Sequence, residues 1–174
     1  MLKADPTLFA RVSRIVATSD SIDEVLQHLL EEAVQACDAD RGFLAIADHD
    51  RGELDVRYTA GSGWTEEKRL GRLKVSEETG GGITSRVAAT GTLYRSSNVL
   101  EDPYYIMSFE DVRSEIAVPM IDKDQRTRGV LNIESISPWL LTVKSFSSIS
   151  IFNILFVSKT ALSTSRASGI LMVI

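Results

Sequence analysis

Residues 21–37, SIDEVLQHLLEEAVQAC, leave the chain little freedom. Ser21 and Glu24 form a capping box, in which a hydroxyl and a carboxylate satisfy the unpaired N–H groups at a helix start. Ile22, Val25, Leu26, Leu29, Leu30, Ala33, Val34 and Cys37 then recur at helical spacing on one face. An amphipathic helix of this kind must bury its stripe against another layer. Asp5-Pro6 predicts a helix before it, with Asp5 as cap and Pro6 in the first turn. Leu8, Val12, Ile15 and Val16 are its apolar positions.

The covering layer is read from four strand-like runs. GFLAIAD (42–48) and ELDVRYTA (53–60) flank HDRG, a loop of hairpin length that ends in Gly52. RSEIAVPMI (113–121) and RGVLNIES (128–135) flank DKDQRT in the same manner. Between the hairpins lie a glycine-rich stretch, the short piece TLYRSS and NVLEDPYYI. Two helices, a hairpin, an irregular middle and a second hairpin predict an α+β fold with an antiparallel sheet. A chain of 174 residues, 44% hydrophobic and 25% charged, suits one soluble domain with a real core.

The charge and the termini narrow the class. A net charge of −5 argues against a general nucleic-acid or anionic-membrane binder. The start, MLKADP, has no secretory pattern, and no run of 18 apolar residues suggests a membrane span. The single Cys37 cannot form an internal disulfide and fits a reducing compartment, so a cytoplasmic location is expected.

EETGGGITSRVAATGT (77–92) invites a phosphate-binding reading, which its chemistry does not support. A P-loop needs a lysine after its last glycine, and no lysine lies between Val75 and Glu101. A dinucleotide fingerprint needs a third glycine where Ser85 stands. The alternative is a short helix capped by Thr79 or one of the glycines, with Ile83 and Val87 inward and Gly91 as a left-handed cap. Three glycines together predict close backbone approach to a neighbour or a ligand.

Other reactive residues are placed without a catalytic pattern. Cys37 ends the apolar stripe and reads as core. His28 lies at the polar edge of its helix and His49 in a hairpin loop, which makes no metal site. Asp38, Asp40, Asp122 and Asp124 read as turn residues. Trp64, Tyr94, Tyr104 and Tyr105 cluster in the irregular middle, where they either line a pocket or form a satellite core.

The last 40 residues change character. All 24 acids lie at or before Glu134, and residues 135–174 hold ten serines, three basic residues and no acid. SFSSISIFNILFV is apolar on every side. A buried helix or strand accounts for it, and so does a departure from the natural sequence such as a reading-frame shift. Reading the encoding DNA in its other two frames separates the two.

From about Leu8 to Ser135 the chain resembles a GAF domain, the small sensory module of signalling proteins. The resemblance rests on ADRGFLAIAD, GGGITSRVAATGTLYRSSNVLEDPYYI, VRSEIAVPMIDKD and RGVLNIES in that order. It implies a central antiparallel sheet of about six strands, with the N-terminal helices on one face and a ligand pocket roofed by loops and short helices on the other. Residues 1–135 would form the domain proper, and 136–174 an atypical segment where the family has its last helix. The implied pocket takes Phe43, Trp64, Tyr94 and Tyr105 as aromatic lining. Gly82, Ile83 and Val87 come from the short helix, and Asn98, Asp102 and Ile106 from the connection after it. In RSEIAVP, small Ala117 suits close helix contact, which turns Ser114 and Ile116 toward the pocket.

The family binds cyclic nucleotides, bilins, haem, other metabolites, or nothing known. The family's cyclic-nucleotide pattern is echoed only in part by FEDVRSE. Cys37 lies on the second helix and not in a roof, the bilin-type histidines are replaced around Glu134 and Ser135, and the pocket cysteines of methionine-sulfoxide reductases are missing. Covalent bilin is therefore not expected, and no cofactor is assigned. The resemblance implies a noncatalytic small-molecule-sensing regulatory domain in signal transduction, transmitting its ligand state to an output domain by population shift. A homodimer through the N-terminal helices is expected. The alternative is a ligand-free dimerisation scaffold, motivated by the stripe on residues 22–37.

Overall fold

A computed structural model describes residues 6–69 and 71–138. The expected Asp5 cap and the apolar segment from residue 139 onward lie outside the described residues.

Two helices open the chain, α1 (Pro6–Thr18) and α2 (Ile22–Ala36). The capping box forms between them. Ser21 Oγ accepts from the Glu24 N–H at 3.2 Å, and Glu24 Oε2 accepts from the Asp20 N–H at 2.9 Å. Six strands follow: β1 (Arg41–Asp48), β2 (Glu53–Gly61), β3 (Arg72–Lys74), β4 (Tyr94–Ser96), β5 (Ser114–Ile121) and β6 (Thr127–Ser135). Their order in the sheet is β3-β2-β1-β6-β5-β4, and each pairing is antiparallel. The two expected hairpins are joined at the centre by β1 against β6. Aspartates build their turns: Asp48 Oδ1 accepts from the Asp50 and Arg51 N–H groups, and Asp122 Oδ1 from those of Asp124 and Arg126. Two short helices, α3 (Glu66–Arg69) and α4 (Ile83–Thr90), and a 3-10 turn (Val99–Glu101) occupy the middle section. Neither α3 nor β3 has enough apolar residues to show a period in the sequence.

Each face of the sheet has its own core. On one face, Leu44, Ile116, Val118, Met120, Leu131 and Ile133 meet the stripe of α2 and Val12 of α1. Cys37 is buried there, as its place in the stripe predicts. At Gly42 the layers lie too close for a side chain: a Cβ at that position would lie 2.7 Å from the Asn132 carbonyl oxygen and 3.0 Å from a Val34 methyl. On the other face, Phe43, Ala45, Leu54, Val56, Ala117 and Val130 pack with Ile83 and Val87 of α4. A bulge at Arg57 reconciles β2 with both layers: Leu44 pairs with Tyr58 and Ala45 with Val56. Leu54 and Val56 therefore face α4, while Tyr58 and Ala60 face α2.

The faces of β5 are the reverse of the sequence expectation. Ser114, Ile116 and Val118 turn toward α1 and α2, and Glu115 and Ala117 toward α4. Small Ala117 does meet a helix closely, but that helix is α4. Register settles the matter, because Ile116 pairs with Ile133 and the two large side chains share the thick apolar layer.

Leu30 is fully buried at the centre of that layer. Leu30→Ala is expected to lower the unfolding free energy by about 3 kcal/mol, measured by chemical denaturation.

Candidate functional site

The α4 face of the sheet is apolar except at one end. There, strand register lines up Arg41 of β1, Glu134 of β6, Glu115 of β5 and Ser96 of β4 in a single transverse row. The next row on the same face is Phe43, Asn132, Ala117 and Tyr94. Arg41, Glu134, Glu115 and Asn132 are each at most 4% exposed. Glu115 and Glu134 are direct cross-strand neighbours, a position in which like charges destabilise a sheet.

A cavity of about 70 Å³ stands over this row. Its floor is Phe43, Glu115, Asn132 and Glu134, and its wall is the start of α4 from Gly81 to Ser85, with Leu73, Ile106 and Ser108 closing the sides. Asn132 Nδ2 donates to Glu134 Oε1 at 3.1 Å. Asn132 Oδ1, Glu134 Oε2 and Arg41 Nε are buried without a hydrogen-bond partner in the protein. Burial pushes the Glu134 carboxyl up to about 7, although Arg41 and the Asn132 amide pull it back. Glu115 is raised well above the usual carboxylate range, by burial first and then by the charges of Glu134 and Asp102, with the Thr84 hydroxyl opposing.

The glycine run fixes the roof to α4. The Gly80 N–H donates to the Pro103 carbonyl at 2.8 Å and the Gly82 N–H to the Tyr104 carbonyl at 3.0 Å. Gly80 and Gly82 have φ of 73° and 98°, which side-chain-bearing residues rarely adopt. Gly82 is the N-cap of α4, and Gly91 closes it in the left-handed conformation. The close approach expected of these glycines is thus to the roof loop.

Further along, the roof is clamped by aromatic and charged groups. The Arg41 guanidinium and the Lys68 ammonium lie 4.2 Å and 3.6 Å from the Phe109 ring centre. Arg41 Nη2 donates to Asp111 Oδ2 at 2.6 Å, and Lys68 Nζ to the Ser108 carbonyl at 2.6 Å. Trp64 makes edge-to-face contacts with both Phe43 and Phe109, at 5.8 Å and 5.1 Å. One aromatic chain therefore runs from the cavity floor to the roof loop.

The structure separates the residues expected in a pocket. Phe43, Gly82, Ile83 and Ile106 line the cavity. Trp64 sits one layer out, and Tyr105 packs beside it against the small cluster of Val99, Phe109 and Val112. Val87 is buried beneath α4. Tyr94 and Asp102 bind each other, Tyr94 Oη donating to Asp102 Oδ2 at 3.1 Å, and Asn98 opens the 3-10 turn. Ser114 and Ile116 are on the opposite face, where Ser114 Oγ donates to the Ser137 carbonyl at 2.8 Å. The sequence reading missed Glu115, Asn132, Glu134 and Thr84. Their signal was present as polar residues inside otherwise apolar central strands. Among the described residues, no cluster of three histidine, cysteine or acidic side chains could hold a metal, and no helix is long and apolar enough to cross a membrane.

The sequence profile of the GAF domain matches residues 19–138. Comparison with curated proteins found no match. Among solved structures, the chain is similar to the GAF domain of the Acinetobacter phosphoenolpyruvate-protein phosphotransferase, at 16% identity over 94% of this chain and 97% of that one, with a TM-score of 0.78. The corresponding domain from Coxiella burnetii shares 18% identity over 91% and 94%, with a TM-score of 0.77. The free methionine-R-sulfoxide reductase of Neisseria meningitidis, solved with its substrate, shares 19% identity over 92% and 96%, with a TM-score of 0.64. At these identities the likeness shows a common fold.

Two outcomes follow from the geometry. A carboxyl raised in the folded state stabilises the fold fully below its unfolded pKa, and that contribution is lost as pH rises through the folded value. Glu134 therefore contributes stability below 4.5 that is gone above about 7, and Glu115 acts in the same direction. The melting temperature should fall between about pH 5 and about pH 8 by less in the Glu115→Gln/Glu134→Gln double variant than in the parent, as followed by circular dichroism. Phe109→Ala removes the centre of the roof clamp. Hydrogen exchange across residues 104–112 should quicken about tenfold or more, and Phe109→Tyr should restore most of the protection.

Proposed function

The chain belongs to the GAF domain family, and from that premise we propose that it is a noncatalytic regulatory domain that senses a small molecule in the cavity between β5, β6 and α4. One observation carries this reading. The cavity floor holds buried polar atoms, Asn132 Oδ1 and Glu134 Oε2, that have no partner in the protein. Such atoms are costly unless something supplies the missing hydrogen bonds.

The same strands give a route for the signal. Glu115 and Glu134 face the cavity, while their neighbours Ile116 and Ile133 pack under α2. A ligand that favours one arrangement of floor and roof thereby biases the packing of α1 and α2, and through them an output domain or partner. The reading as a sensor and not a catalyst is supported by the place of Cys37, at the end of α2 in the opposite core.

Native mass spectrometry of the purified protein, followed by a thermal-shift panel of metabolites and cyclic nucleotides, tests the proposal. A bound ligand at about one hundred times its Kd should add roughly 2.7 kcal/mol of stability, and it should be recovered unchanged. A panel without any response, together with unaltered exchange in the roof loop, overturns the sensing role. Recovery of a converted product overturns the noncatalytic part.

A further inference from the structure

Two acids opposite each other on a buried sheet face are an unfavourable arrangement for a domain that needs only to fold. Apolar residues at 115 and 134 would continue the core that Ala117 and Val130 already form on that face. Instead the pair stands in a cavity, with a third acceptor, Asn132 Oδ1, aimed into the same space and unpartnered. The site thus offers acceptors in excess. Of the donors present, the Asn132 amide is committed to Glu134 Oε1 and Arg41 Nη2 to Asp111, with the guanidinium on the Phe109 ring. Arg41 Nε alone is left without a partner, against two unpartnered acceptors and a paired acid.

Resting on the sensing role above, we infer that the cavity takes the head of a protonated primary amine, held between Glu115 and Glu134 with Asn132 Oδ1 as the third acceptor. An ammonium carries three donors and one positive charge, which matches three acceptors and an acidic pair. A water needs roughly 10–15 Å³ of such space, so a cavity of about 70 Å³ admits a headgroup of a few heavy atoms. Apolar Leu73 and Ile106 at its sides, with Phe43 at its base, suit an alkyl or aryl remainder leading out of the cavity. An anionic headgroup would meet two carboxylates.

Charge linkage gives the reading its sharpest consequence. The groups facing Glu134 are Arg41 from β1, Glu115 from β5, Lys68 from α3, and Asp111 and Tyr105 from the roof. Those facing Glu115 are Glu134, Asp102 and Thr84, with Tyr105 above. Arg41 and Lys68 oppose the upward shift of Glu134 without cancelling it, so an ammonium bound between the two acids competes with the proton that their burial favours. Amine binding therefore strengthens as pH rises through the neutral range and releases protons to the buffer.

The test uses n-butylammonium, tetramethylammonium, n-butanol and butyrate as probes, with affinity read by calorimetry at about pH 6 and about pH 8. Butylammonium should bind at least about tenfold more tightly than the other three, more so at the higher pH, with a heat that varies with buffer ionisation. Glu134→Gln should weaken it about tenfold or more while the variant keeps its melting transition, which separates lost binding from lost folding. Equal binding of butanol, unchanged affinity in both Glu115→Gln and Glu134→Gln, or preference for magnesium or calcium over the amine overturns the inference. If native mass spectrometry recovers a ligand without an amine, the amine assignment fails and the sensing role stands. If neither amines nor the metabolite panel bind, both fail.

Discussion

The pairing of β1 with β6 is the contact on which the rest of the structure depends. Each hairpin alone is a two-stranded ribbon that is marginal in water. Joined along residues 41–46 and 129–134, they make one twisted sheet with two faces. That junction aligns Leu44 with Leu131 under α2, and it aligns Phe43 with Asn132 and Arg41 with Glu134 on the cavity face. A slip of one residue would invert every one of these side chains. The stripe of α2 resists such a slip, because a slip would remove Leu44, Leu131 and Ile133 from the apolar layer in which it is buried.

The two faces differ in what they are built for. The α2 face is wholly apolar at its centre and supplies the stability. The α4 face is apolar beneath Ile83 and Val87 but becomes polar where the roof begins. There the fold tolerates a buried acidic pair, a half-satisfied amide and an arginine drawn toward the roof. Local rules of packing and charge are broken at this end of the sheet, which is where function is to be sought. The roof is held by weak, separable contacts: backbone bonds from the glycines, the rings of Trp64 and Phe109, and the Arg41–Asp111 ion pair. Asp111 is largely exposed, so its contribution is screened by solvent. Contacts of this kind let a segment open without unfolding the sheet beneath it.

Much of the frame was legible because it is local. A capping box and a 3.6-residue stripe specify α2 without help from the rest of the chain. Alternation bounded by Gly52 and by the Asp122 turn specifies the hairpins. The glycines at 80–82 announced a close backbone approach, and the structure supplies the neighbour, the carbonyls of Pro103 and Tyr104. The candidate site was less legible. Phe43, Gly82, Ile83 and Ile106 were found, but Glu115 was assigned to the helix side and Glu134 was noted only where another residue type was missing. Alternation divides a strand into two sets of residues, but it does not say which layer each set will meet.

The sequence by itself determined the two long helices, the two hairpins, the short glycine-bounded helix, their order, the amphipathic stripe and the family likeness, since these depend on spacing within a few residues. Only the tertiary structure decided which face of β5 looks into the cavity, that Glu115 and Glu134 stand side by side across two strands, and that Arg41 turns to the roof. Those facts come from strand register and from the burial shared by distant segments. A carboxylate in an apolar run becomes part of a site only when another strand places a second acid against it and a roof excludes the water that would otherwise solvate both.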